Sequence, residues 1–193
     1  MLNNIEFKLT GVSPLMCHNG HLANPTNPFV LALKEVTKKR TKTDADYEAM
    51  RSIEWHGGMY WNKDEKPIVP GSCIEAMLQN AAKKQKLGLA FKAGVFCMKD
   101  SLIDYDGPDT PKKLYSDDGF VDQQMVVIQR VRVLRTRPIF YSWSLNTEVS
   151  FNDEVANERE IVTAMETAGS IIGLCDYRPK YGRFEVEYLG AAA

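Results

Sequence analysis

Residues 139–151 read Ile-Phe-Tyr-Ser-Trp-Ser-Leu-Asn-Thr-Glu-Val-Ser-Phe, and their alternation decides the fold class. Ile139, Tyr141, Trp143, Leu145, Thr147, Val149 and Phe151 fall on one side, and Phe140, Ser142, Ser144, Asn146, Glu148 and Ser150 on the other. A period of two over thirteen residues predicts a long strand with one buried and one wet face. Upstream, Met125 to Leu134 is rich in β-branched residues, and Arg135-Thr-Arg-Pro138 separates the two runs, so the pair is expected to form an antiparallel hairpin. Ile5, Phe7 and Leu9 alternate in the same way at the start of the chain, as do Phe184, Val186 and Tyr188 near its end.

Helices are expected between these strands. Gly71-Ser72 followed by Glu75 predicts a capping box, and Ile74, Met77, Leu78, Ala81 and Ala82 line one face of a helix that Gly88 stops. Phe29 to Val36 and Asp44 to Trp61 predict earlier helices, the first ending near Lys38-Lys39-Arg40. Glu158 to Ile172 predicts a last one, closed by Gly173. Asp104 to Gly119 carries Asp-Gly-Pro-Asp and Ser-Asp-Asp-Gly clusters that mark an exposed insertion. The order is strand, helices, hairpin, helix, strand. The expectation is an α+β domain over residues 1–190, a ferredoxin-like or RRM-like βαββαβ antiparallel sheet with helices on one face and loop insertions, followed by a tail at 191–193. The other face of such a sheet stays open, and open faces of this kind commonly bind single-stranded nucleic acid.

The chain of 193 residues has 24 Lys and Arg against 25 Asp and Glu, a net charge of −1. A nucleic-acid site must therefore be a local patch. Four basic clusters are candidates: Lys34 to Lys42 with Lys38, Lys39 and Arg40; Lys83 to Lys92; Arg130 to Arg137; and Arg178 to Arg183. Lys83, Lys84 and Lys86 close a helix, where positive charge complements the macrodipole, and need no ligand. Arg130 and Arg132, two apart on a strand with Val126 and Ile128 before them, are expected on one face beside Arg135 and Arg137. The loop from Asp176 to Arg183 interleaves Arg178, Lys180 and Arg183 with Tyr177 and Tyr181, a mixture in which cations neutralise phosphates and rings accept unstacked bases.

Other chemistry finds weaker support. The four cysteines, Cys17, Cys73, Cys97 and Cys175, are far apart and read as buried free thiols of a reducing compartment. Cys17-His18-x-x-His21 lacks a second ligand pair, so neither metal nor any other cofactor is expected. No run approaches a membrane span and the N-terminus has no signal-peptide pattern, so the expectation is cytoplasmic, with no membrane partner. No catalytic triad or nucleotide-binding glycine fingerprint is present, and Trp55, Tyr60 and Trp61 read as packing.

Gly11-Val-Ser-Pro-Leu-Met16 after the first strand, Ile68-Val-Pro-Gly-Ser72 opening a helix, and a last helix running into a loop with Gly169, Gly173 and Gly182 together resemble the RAMP superfamily of CRISPR proteins. The class most resembled is the backbone subunit that polymerises along guide RNA. Pro70, Gly71 and Ser72 match that family's helix start, whereas the three glycines approximate its RNA-touching loops and Asp176 to Phe184 departs from them. The resemblance implies single-stranded RNA or DNA as partner and a homo-oligomer or filament. A compact phage-type relative that binds single-stranded DNA or a CRISPR complex stays open. So does an RNA endonuclease of the same superfamily, with His18 or His21 as acid or base, or with a metal on one of Asp104, Asp106, Asp109, Asp117, Asp118 and Asp122. No catalytic residue is assigned.

Overall fold

A computed structural model of the chain describes residues 2–128 and 130–191, the side chain of Ile128 excepted. The expected position of Ile128 on a strand face and the alanines at 192–193 lie outside the described residues. The elements run in the order β1 (Leu2–Gly11), β2 (Leu15–Met16), α1 (Pro28–Thr37), α2 (Asp44–Gly58), β3 (Ile68–Val69), α3 (Gly71–Ala82), α4 (Gly88–Gly94), β4 (Val95–Phe96), β5 (Ser101–Leu102), α5 (Pro111–Ser116), β6 (Val121–Ile128), β7 (Val131–Phe140), β8 (Ser144–Asn152), α6 (Glu158–Thr167) and β9 (Phe184–Ala191). The fold is α+β with antiparallel sheets.

The first strand organises the core. Ile5, Phe7 and Leu9 are buried while Glu6 and Lys8 between them are exposed. β1 lies between β8 and β9 in a four-stranded sheet of order β4-β8-β1-β9. Its register sets Ile5 against Val149, Leu9 against Leu145 and Leu9 against Val186, so one face of all three long strands is apolar. Ile74, Met77, Leu78 and Ala81 of α3 and Ile161, Ala164 and Met165 of α6 belong to the same buried cluster. Each large side chain moved out of water there contributes roughly 1.5–3 kcal/mol.

The expected hairpin is replaced by another. β7 runs straight through Arg135-Thr-Arg-Pro138 and pairs with β6, from Ile128 against Val131 to Val121 against Pro138, whereas β8 belongs to the four-stranded sheet. Pro138 is accepted inside β7 because it pairs with Val121, the first residue of the β6 ladder, so its missing N–H costs little. The alternation over 139–151 is likewise interrupted: β7 ends at Phe140 and β8 begins at Ser144. Arg130 sits in the turn at φ +68, so it does not share a strand face with Arg132.

Two helix expectations also change. The capping box at Ser72 and Glu75 does not form: Glu75 Oε2 accepts from the Cys97 N–H at 3.3 Å, and the Gly71 N–H donates to Asp100 Oδ1 at 3.1 Å. Gly71 is required here by close approach, since a Cβ would lie 2.1 Å from the Cys97 carbonyl oxygen. Lys86, at φ +62, ends the α3 extension, and Gly88 opens α4 instead of stopping a helix. The segment 104–119, expected as an exposed insertion, contains α5 and buries Leu114 in the core.

The chain between α6 and β9 is clamped by backbone bonds. Leu174 N donates to Gly182 O at 2.8 Å, Gly182 N to Pro14 O at 2.7 Å and Asp176 N to Met16 O at 2.9 Å. Gly182 holds φ +72, and a Cβ there would stand 2.0 Å from the Leu174 carbonyl oxygen. Gly182→Ala is expected to cost about 2 kcal/mol or more in urea unfolding. Gly20→Ala, with nothing within 4 Å, should stay within about 0.5 kcal/mol of the parent; equal effects would contradict the clamp.

Candidate nucleic-acid interface

Charge decides which surface can receive a polyanion. On the uncovered face of the sheet, Glu6 stands directly opposite Glu148, and Lys8 opposite Glu187, with Glu185 beside them. Lys99 pairs with Glu148 at 2.7 Å. This face is net acidic, which disfavours phosphate there.

The loop at the sheet's end is different. Tyr177 and Tyr181 pack with ring centroids 5.6 Å apart, and Lys180 Nζ lies 5.9 Å and 5.1 Å from their respective centroids. Arg137 Cζ stands 6.0 Å from the Tyr177 centroid. Tyr181 is half-buried and its hydroxyl accepts from Gln124 Nε2 of β6 at 3.2 Å, whereas Tyr177 is 41% exposed. One ring anchors the loop and the other faces solvent. Arg178, Lys180 and Arg183 have exposed side chains, while the Arg183 backbone is tied to Val12 and Ser13.

Asn80 of α3 and Lys83 and Lys84 just after it line one groove together with Ile171, Asp176, Tyr177 and Arg178. Lys83 and Lys84 were expected to serve only the helix dipole. Sequence could not bring them to Arg178, because that approach depends on the packing of α3 against the segment after α6. Arg178, Lys83 and Lys84 therefore bring three cations, with the Tyr177 ring and one carboxylate, Asp176, to a single groove.

The remaining basic candidates are dispersed. Lys38 pairs with Glu35 and Lys39 with Asp46, whose carboxyl that bond holds down to about 2. Arg40 is exposed beyond α1. Arg132 lines a groove beside α2 that also contains Asp44, Glu48 and Asp118. Arg135 and Arg137 share the opposite face of β7 by the strand period. Arg135 pairs with the buried Glu54, whose Oε2 also accepts from Thr136 N at 2.8 Å, and Arg137 lies 2.9 Å from Asp176.

Three of the acidic candidates have separate partners. Asp117 caps Gly119, Asp118 pairs with Arg51 at 2.6 Å, and Asp104 accepts from Ser144 Oγ at 3.2 Å. No group of three or more His, Cys, Asp or Glu able to hold a metal occurs among the described residues. Trp55 is fully buried and donates to the Phe120 carbonyl at 2.9 Å, as packing requires. The cysteines are free, but three of them converge instead of standing apart. Cys175 hydrogen-bonds Cys17 and Cys73 beneath the loop, and Cys73 Sγ reaches Tyr60 Oη at 3.9 Å. Cys175 raises the Cys73 thiol pKa through their hydrogen bond, and burial adds to it. No protein-family model matches the chain, and comparison with curated proteins returns no match.

His18 sits where these groups meet. Desolvation lowers its pKa, Asp176 opposes that effect, Arg137 and Arg135 add to it, and Glu54 opposes it. A histidine with a depressed pKa favours the fold in its neutral form, so that contribution is present above the ordinary value of 6.5 and is lost as pH falls below it. Urea unfolding at pH 7 and pH 5 should show a smaller loss of stability for His18→Gln than for the parent. Equal losses would remove His18 from the acid sensitivity.

Proposed function

We propose that this chain is a non-catalytic, single-stranded nucleic-acid-binding protein, RNA before DNA, that assembles side by side along its ligand. The observation that carries the reading is the groove lined by Lys83, Lys84, Arg178 and Tyr177, with Lys180 against the Tyr177 ring. Cations two to three side chains apart follow a phosphate backbone, and an exposed ring receives a base of any identity. The acidic sheet face opposite supports a single binding track, because it steers the polyanion away from the rest of the sheet.

Taken in chain order, β1, α3, β4, β8, α6 and β9 support a ferredoxin-like βαββαβ plan, with a RAMP-like reading of its loops. Side-by-side assembly finds support in the β6–β7 hairpin, where Met125, Val127 and Val131 are 61%, 68% and 61% exposed. Three large apolar groups on one projecting hairpin favour cover by a neighbouring copy, and a net charge of −1 sets little repulsion against it.

Affinity for a uridine homopolymer should fall linearly with log salt. Lys84→Ala, Arg178→Ala and Lys180→Ala should each lower the slope by roughly 0.7, while Lys8→Ala on the sheet face should leave it unchanged. The same slope in all four variants would overturn the groove as the site. Tyr177→Ala should lose roughly 1–3 kcal/mol of binding at an unchanged melting temperature, with Tyr177→Phe retaining it. Tyr181→Ala, which removes the anchor to Gln124, should instead lower the melting temperature.

A further inference from the structure

A second cavity, of about 290 Å³, is lined by residues of α1, α2 and β7, with Arg137, which also stands against the Tyr177 ring, among them. One wall is apolar, made by Phe29, Val30, Leu33 and Ile53. The other is polar, with Arg135, Arg137 and Glu54 presented from β7 and α2, and His18 at the side. The volume is at the small end for an organic ligand site and suits one planar ring system.

Arg137 is the unusual group in this cavity. Its side chain is only 15% exposed, and although Nε stands 2.9 Å from Asp176 Oδ2 the N–H is not aimed at that oxygen. Both Nε and Nη1 are buried without a hydrogen-bond partner. A buried guanidinium donor left unsatisfied is destabilising, so an acceptor arriving from outside the protein is favoured. Glu54 complements it: each carboxylate oxygen already takes one donor, from Arg135 or from Thr136 N, and each retains a lone pair.

Resting on the reading of the Tyr177 groove as a single-strand track, we propose that this cavity takes one extruded base of the strand, guanine in preference to the others. Guanine presents O6 and N7, two adjacent acceptors that match the guanidinium fork of Arg137. Its N1–H and N2–H₂ donors match the free lone pairs of Glu54, and its ring faces the aliphatic wall of α1. Uracil has no two adjacent acceptors, cytosine's O2 and N3 pair comes with only one amino donor in place of N1–H and N2–H₂, and adenine presents a donor where O6 would be. Arg137, touching both Tyr177 and the cavity, is where the track and the base site join.

The test compares a 12-nucleotide uridine strand with the same strand carrying one central guanine, and adds free guanosine monophosphate followed by NMR. The parent should bind the guanine-bearing strand roughly tenfold more tightly. Leu33→Trp, which fills the cavity from α1, should abolish that preference while leaving the melting temperature and the affinity for the uridine strand unchanged. Lys84→Ala should weaken both strands equally. Equal binding of the two strands by the parent, or a preference that survives Leu33→Trp, overturns the base site and leaves the track intact. If neither strand binds, the track fails. Guanosine monophosphate binding that Leu33→Trp removes would then establish the cavity as a free-nucleotide site, and its failure would end the proposal altogether.

Discussion

Everything else in this molecule depends on β1 lying in the middle of its sheet with Ile5, Phe7 and Leu9 on one side and Glu6 and Lys8 on the other. A strand paired on both edges has no freedom of register, because a slip of one residue would turn three large apolar groups to water. That register fixes β8 and β9, and the apolar face they share fixes α3 and α6 above it. The same alternation leaves Glu6, Glu148, Glu185 and Glu187 on the bare face. The core and the acidity of the open face are two results of one pattern. The binding track we propose lies away from that face, where α3 ends and the loop before β9 begins.

That loop is built to be rigid where it meets the protein and exposed where it meets solvent. Gly182 and Leu174 bond back to back, Asp176 and Gly182 reach β2 and the turn before it, and three thiols pack below. Tyr181 is held by Gln124 of β6, so the hairpin and the loop brace each other. Tyr177, Arg178 and Lys180 are thereby presented from a fixed backbone, which reduces the ordering cost of binding. Arg137 reaches both the Tyr177 ring and the cavity lined by α1, α2 and β7.

Strands with one wet face were legible in sequence: β1, most of β8 and the start of β9 stand where alternation places them. So was α6, whose capping residues Asn157 and Glu160 form the box that begins it. The hairpin was not, because a run of β-branched residues carries no register of its own and the sequence between the two strands, Gln129-Arg130, is not the Asn-Gly or Asp-Gly pair that marks hairpin turns. Pro138 looked like a separator and is instead a strand residue at the end of its ladder. The α3 cap was hidden because its donor acts on Asp100, 29 residues away. Of the interface, the aromatic and basic loop was visible from composition alone. Lys83, Lys84 and the buried Arg137 donor were not, since each acquires its meaning from a neighbour distant in the chain.

The central claim is that nucleic acid lies along the groove at Tyr177 and not across the sheet. Photocrosslinking of a 4-thiouridine strand, followed by mass spectrometry of the adducted peptides, reads the contact directly. The account requires adducts on Tyr177, with others on peptides containing Lys83, Lys84 or Lys180. Adducts confined to β1, β8 or the Glu185–Glu187 stretch of β9 would contradict it.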